Sequence, residues 1–328
     1  MAVYTAIDDP EAYFQVVLFT GTGSEQAITL GGDTDMQPDL VIAKTRAVTH
    51  NHGVQDSVRG ATKELYTEST AAEATYAETL KSFDSDGFTV GTDGGWNSDG
   101  DAKVAWCWKE SADAGFDIVA YAGTGSAHTE AHSLSAVPKM IIATNRERSS
   151  NWLVYHAGMD VTGNNTLFLD STSAQDASQN YWNDTAPTSS VFSVGDRLEN
   201  NYSSENIIAY AFAPKQGFSK FGTYEGNGNA DGTFVYLGFR PAFVMTKSVD
   251  STSAWEMFDN KREGYNVDND ALVANATTVE ATADQIDLLS NGFKLRIATD
   301  PNVAETYIYA AFAEAPFVNS NGVPCNAR

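Results

Sequence analysis

The chain has 328 residues, of which 43 are Asp or Glu and 20 are Lys or Arg, giving a formal net charge of −23. That balance excludes a nucleic-acid binder working through its own basic surface, because each phosphate contact needs a cation to displace counterions. At 42% hydrophobic and 11% aromatic the chain is too apolar for a disordered acidic tail and can bury sizeable cores.

The opening MAVYTAIDDPEAYFQ has no basic region followed by an apolar run, so no signal peptide is expected. No stretch approaches the roughly 18 uninterrupted apolar residues of a membrane span, and the expectation is a soluble protein made in a cytoplasm. From Phe14 onward apolar residues alternate or form short runs bounded by Gly, Asn, Asp and Ser, the pattern of strands and turns. Segments 14–19, 40–43, 151–155, 166–169 and 307–312 read as strands, with tight turns at Asp86-Gly87 and Asn291-Gly292.

These elements recur in fixed order. Gly21, Gly123 and Gly226 each open a Gly-x-Gly, at spacings of 102 and 103. Pro38, Pro138 and Pro241 each precede an apolar run, Phe88, Phe192 and Phe293 share one context, and Trp108, Phe212 and Phe312 each close a strand. Thr70 with Glu73, Thr172 with Gln175 and Thr277 with Glu280 fit a capping box, which predicts a short helical turn in each unit, extending through Tyr76 and Leu80 in the first. The repeats divide the chain into units 14–113, 114–216 and 217–317, flanked by 1–13 and 318–328. Short strands with frequent turns predict an all-β fold of three tandem β-sandwich, jelly-roll-like domains of about 100 residues. The first and last strands of each unit should lie side by side. Ala114-Gly115 and Gln216-Gly217, the only spacers, imply a rigid rod or a compact cluster.

Candidate chemistry is sparse. His128, Glu130 and His132 would share one face of a strand and could ligate a divalent metal, but an exposed polar strand is the plainer reading. His50 and His52 are weaker still, and Trp152 and Trp255 take the place of His52 in the other repeats. The acidic loop Asp93, Asn97, Asp99 and Asp101 offers hard oxygens for calcium, yet lacks an EF-hand spacing and reads as a solvated hairpin loop. No G-x-S-x-G elbow appears, and Cys107 reads as a buried, inert thiol; with Cys325 it is one of only two cysteines, too few for a disulfide framework. Among so many acids no carboxylate pair stands out for glycoside hydrolysis. The Gly-x-Gly elements precede strands, which argues against a phosphate loop. Trp96, Tyr181, Trp182 and Tyr202 fall in polar contexts where a ring could stack on a sugar, or else cap the sandwich ends. No catalytic, cofactor-binding or metal residues are assigned, no cofactor is expected, and any ligand-binding residues are unknown.

Several longer segments carry a resemblance: TAIDDPEAYFQ at the start, DSVRGATKEL at 56–65, KSFDSDGFTVG at 81–91, VAWCWK at 104–109, NWLVYH at 151–156, YWNDTAPTSSVFSVG at 181–195 and FVYLGFRPAFVMTK at 234–247. The chain resembles structural proteins of marine tailed bacteriophages, in which such segments form repeated β-sandwich modules of tail fibres, tails or other virion parts. The resemblance implies a non-enzymatic virion protein, foremost a tail fibre or tail-associated receptor-binding component. It implies other virion proteins of tail or capsid, copies of the chain itself and a host-surface glycan or protein as partners, with neither nucleic acid nor membrane insertion. A head decoration or spike protein is the alternative within the virion; a lectin-like carbohydrate-binding or carbohydrate-active protein is the alternative outside it. The two flanking segments, which do not fit the repeat, are candidates for docking on the particle.

Overall fold

A computed structural model describes residues 5–160, 162–177, 180–262 and 270–325, and nearly every regular element in them is a β-strand. Helix is confined among the described residues to the single turns Pro10–Ala12, Gly94–Asn97 and Leu198–Asn201; no helix is long and apolar enough to cross a membrane. The fold is all-β, built of antiparallel sheets.

Each repeat contributes one large and one small sheet. The first large sheet runs in the order Phe14–Thr20, Ala102–Trp108, Leu40–Thr45, Gly53–Asp56, Lys63–Tyr66 and Ala74–Thr75. In the second the order is Phe116–Ala122, Asn206–Phe212, Met140–Asn145, Leu153–His156 and Leu167–Phe168. Ser219–Glu225, Thr306–Pro316, Phe239–Ser248, Glu256–Asp259 and Leu272–Val273 follow the same order in the third. First and last long strands of each repeat therefore pair directly, with Phe14 opposite Trp108, Phe116 opposite Phe212 and Ser219 opposite Phe312. The small sheets are Gln26–Thr29 with Gly87–Val90 and Leu80–Asp84; His128–Ala131 with Val191–Val194; and Phe234–Tyr236 with Gly292–Leu295 and Ile286–Leu289.

The strand Ala102–Trp108 shows why these sequences read as apolar runs rather than clean alternation. Ala105 and Cys107 face the first small sheet, packing with Ile28, Val41, Phe88 and Trp96. Val104, Trp106 and Trp108 face the other way, into a cluster that also holds Met140, Tyr210 and Phe212 of the second repeat and Phe243, Met245 and Phe312 of the third. A strand covered on both faces has no side to give to water. Each large sheet is thus sandwiched between its own small sheet and one core shared by all three. Phe14, Trp108, Phe243 and Phe312 form its aromatic centre, with ring centroids from 4.9 to 6.4 Å apart. Pro241 lies within a strand, at the bulge that shifts register between Arg240 and Phe243, where its missing N–H interrupts no regular ladder.

The capping-box segments are not helical turns. Residues 70–73, 172–175 and 277–280 carry no regular structure, and Leu80 opens the strand Leu80–Asp84. Their backbones bond to the next repeat. Ser150 N donates to Thr70 O and Glu73 N to Arg146 O; Ser253 N donates to Thr172 O and Gln175 N to Val249 O; His50 N donates to Thr277 O and Glu280 N to Arg46 O. The third set returns from the third repeat to the first. Head-to-tail contacts whose rotation closes make a ring, so the chain is a closed, pseudo-threefold cluster and not a rod. Tight corners at Gly115 and Gly217, with φ of 74° and 79°, join the repeats. The leading segment packs on the second corner, Ala6 N donating to Gln216 O, and Asp8 accepts from Ser320 N of the trailing segment.

Candidate functional site

Clustered polar chemistry lies at the three junctions of the ring. Between the first and second repeats, Arg59 forms a wholly buried ion pair with Asp56, donates to Val54 O at 2.8 Å and reaches Glu73 at 3.2 Å. From the second repeat Arg146 clasps Glu73 with two bonds of 2.9 Å, and Tyr210 Oη donates to Asp56 at 2.7 Å. Burial alone would raise the Glu73 carboxyl, but Arg146 and Arg59 hold it below the ordinary range.

The third–first junction repeats this set. Arg262 donates to Asp259 at 2.6 Å, to Glu280 at 2.8 Å and to Met257 O at 2.9 Å, Arg46 of the first repeat binds Glu280, and Trp106 Nε1 donates to Asp259 at 3.0 Å. At the second–third junction His156, Met159, Gln175 and Val249 stand in the corresponding places, and no charged pair joins the repeats through them. His156 instead spans the junction through Nε2 to Tyr309 O at 3.2 Å, while its Nδ1 accepts from Gly158 N at 3.0 Å. Those bonds assign the proton to Nε2 of a neutral ring, and burial lowers its pKa to about 4.

A second triad was missed in the sequence. Asn97, Asn201 and Asn302 are fully buried. Their Oδ1 atoms accept from Thr22 N, Thr124 N and Asn227 N at 2.8, 2.7 and 3.1 Å. Their Nδ2 groups donate to Gly91 O, Gly195 O and Ile297 O in the loop after each small sheet. A Cβ at Gly21, Gly123 or Gly226 would collide with the carbonyl of the residue after the Asn. The Gly-x-Gly elements are thus docking loops held by an asparagine. The signal was available, for these asparagines are 104 and 101 residues apart, as Phe88, Phe192 and Phe293 are.

The residues singled out for chemistry lie elsewhere. His128 and Glu130 share the strand His128–Ala131 and pair at 2.8 Å, but His132 turns to Thr188 O at 3.1 Å. Among the described residues no group of three His, Cys, Asp or Glu side chains is placed to hold a metal ion. The acidic loop is not a solvated hairpin. Asp93 caps the turn Gly94–Asn97, accepting from Gly95 N and Trp96 N, and that turn buries Trp96 against Glu64, to which its Nε1 donates at 2.6 Å. Burial raises the Glu64 carboxyl to about 7. Asp101 lies 3.7 Å from Lys103. Tyr181 and Trp182 are buried as well, and Arg148 stacks on Tyr202 at 3.4 Å, so these rings cap the sandwich rather than await a ligand. Cys107 is buried, which raises its thiol well above the ordinary range, and Cys325 is exposed. The neighbouring carboxylates Glu110 and Asp117 bind backbone amides: Ile118 N donates to Glu110 and Ser133 N to Asp117. His50 approaches Gly95 in the first repeat, and His52 is wholly buried at the third–first junction.

Where the three large sheets meet lies an apolar cavity of about 60 Å³, walled by Ile42, Trp106, Ile142, Phe212, Met245 and Phe312 among others. The polar atoms of Trp106 and Tyr210 point out of it, to Asp259 and Asp56. Such a space suits a small apolar group and disfavours a sugar or a charged substrate.

The junction sets and the asparagine triad each join one part of the ring to another. No curated protein matches the chain. The family model described as Domain of unknown function (DUF7483) matches residues 9–316 in a single span, and the chain belongs to that family.

Proposed function

We propose that the chain is a structural protein of a tailed-bacteriophage virion, serving as a tail fibre or tail-associated receptor-binding component rather than as an enzyme. The observation that supports this reading is the use made of the recurrent polar residues. Arg59, Asp56, Glu73, Arg262, Asp259, Glu280 and the three buried asparagines hold repeats and loops in place. A closed ring held in this way is a stiff scaffold, and its loops are free to vary for recognition. The sequence resemblance to repeated modules of virion proteins points the same way. On this reading its partners are other virion proteins, copies of itself and a host-surface glycan or protein.

Two measurements test it. The purified chain at saturating concentration should block adsorption of the phage to its host; undiminished adsorption would remove the receptor-binding role. Quantitative mass spectrometry of particles should find about three, six or twelve copies, as closed symmetric tail assemblies require. Tens to hundreds of copies would instead assign the chain to the head as a decoration protein.

A further inference from the structure

The third repeat departs from the other two on the outer face of its small sheet. Opposite the first residue of the second strand, where the first repeat has Thr29 and the second has Ala131, the third has Tyr236; two residues earlier, Ala27 and Thr129 correspond to Phe234. Both aromatic rings are solvent-exposed, Phe234 at 45% and Tyr236 at 54%, while Val235 between them is buried. Two residues apart on a strand, they stand on one face about 7 Å from each other. Neither ring is needed by the core, which distinguishes them from the buried Trp96, Tyr181 and Trp182.

Tyr236 also borders a surface groove of about 460 Å³, whose walls include Lys215, Gln216, Lys220, Leu237 and Phe317. None of the described residues lining it is Asp or Glu, in a protein that has 43 of them. Lys220 Nζ donates to the Tyr236 backbone O at 2.6 Å and lies 5.5 Å from the Tyr236 ring centroid, so its ammonium stands beside the ring and keeps protons for a further acceptor. Gly217 and Gly238, with φ of 79° and 86°, also line the groove. An exposed aromatic platform beside two lysines, on an otherwise anionic molecule, complements a ligand with an apolar ring face and a negative charge.

We propose that this groove binds an anionic glycan, with one sugar ring stacked on Tyr236, a neighbouring ring on Phe234, and a carboxylate or sulfate paired with Lys215 and Lys220. The assignment deepens the receptor-binding reading above and rests on it for its biological setting. Charge pairing at an exposed groove is screened by salt, so binding weakens as ionic strength rises.

The test is calorimetric titration of the full chain with three hexasaccharides: oligogalacturonate, carrying carboxylates; a heparin fragment, carrying sulfates; and neutral maltohexaose. At least one acidic probe should bind ten or more times more tightly than maltohexaose, and which one binds identifies the anionic group. Tyr236→Ala and the double variant Lys215→Gln, Lys220→Gln should each weaken that binding at least tenfold with an unchanged thermal midpoint, and Tyr236→Phe should retain it. Binding of neither acidic probe, equal binding of maltohexaose, or full affinity in Tyr236→Ala would overturn the site. So would a change of oligomeric state in Tyr236→Ala, which would assign the face to a second copy of the chain. Adsorption assays separate the two ideas. If wild-type and Tyr236→Ala chains block adsorption equally, the receptor role stands but does not run through the groove; if a chain that binds the acidic probe does not block adsorption, the receptor role is wrong and the groove stands.

Discussion

The first–second and third–first junctions solve one packing problem with charge, and the second–third junction solves it without. In the first two, an aspartate at the end of a strand accepts from an aromatic side chain across the junction, a buried arginine three residues on joins it to a glutamate, and a second arginine from the neighbouring repeat closes the set. At the third, His156 replaces the aspartate, Met159 the arginine, Gln175 the glutamate and Val249 the outer arginine. All four positions change together. A buried arginine without its aspartate, or a glutamate without its arginine, would be an uncompensated charge in a dry place. Neutral and charged sets therefore exchange as wholes, and the backbone bonds of the Thr-x-x-Glu/Gln segments stay the same beneath either.

The largest effect should come from breaking a charged set in part. Arg59→Ala should cost about 3–5 kcal/mol in urea unfolding, because Asp56 and Glu73 remain buried without their cation. Replacing the whole set with the residues of the second–third junction, Asp56→His, Arg59→Met, Glu73→Gln and Arg146→Val, should recover most of that loss and come within about 2 kcal/mol of the wild type. A fourfold variant as unstable as Arg59→Ala would show that the two kinds of junction are not interchangeable.

Acid should separate the junctions next. His156 is buried neutral, with a folded pKa of about 4 against an ordinary 6.5, so the unfolded chain takes up protons first as pH falls. Its contribution is intact above about pH 6.5 and is lost on the way down to about 4, a difference of up to about 3 kcal/mol. Glu73 at the first–second junction has its pKa lowered, so its contribution holds until the pH passes below the usual glutamate value of 4.5. Hydrogen exchange at pH 5 should thus expose the amides of Ser253 and Gln175 before those of Ser150 and Glu73. His156→Gln should flatten the upper part of the stability profile; an unchanged profile would refute the assignment.

The asparagine triad should behave alike in all three repeats, in contrast to the junctions. Asn97→Ala, Asn201→Ala and Asn302→Ala each strand buried backbone groups and should cost about 2 kcal/mol apiece by urea unfolding. This triad also marks what was legible in the sequence. Strand content and the pairing of first with last strand follow from apolar spacing, which is local and periodic. Thr70 to Glu73 was misread because a capping-box pattern specifies only which groups can bond, and here the partners are Arg146 and Ser150, some 70 to 80 residues away. Trp96, Tyr181 and Trp182 sit among polar sequence neighbours, which leaves open whether a ring is exposed or caps a sandwich; burial is decided by packing against the small sheets, with Phe88 and Val90 beside Trp96 and Phe192 and Val194 beside Tyr181 and Trp182. The ring closure between 277–280 and 46–50 joins segments from opposite ends of the repeat array, and no local pattern encodes it.

The smallest predicted effect lies where the third–first junction departs from its counterparts. Trp152 Nε1 donates to Tyr66 O and Trp255 Nε1 to Phe168 O, each at 2.9 Å, and both carbonyls also accept from the amide three residues on. Val273 O, the matching acceptor, takes the bond from Ala276 N, but the residue in the tryptophan's place is His52, whose two ring nitrogens make no hydrogen bond. Its Nδ1 stands 3.4 Å from Glu68, outside hydrogen-bonding geometry, and burial lowers its pKa against the opposing pull of Glu68, with Lys44 and Arg262 acting in the same direction as burial. A neutral buried histidine contributes stability that is present above its ordinary 6.5 and is lost as pH falls below it. His52→Trp should therefore supply the missing cross-junction bond, worth about 1 kcal/mol, and remove part of the acid sensitivity at the same time. A loss of stability at pH 8 would mean that the larger ring overpacks the site. An unchanged acid profile would mean that His52 does not titrate with folding, leaving His156 as the junction histidine that does.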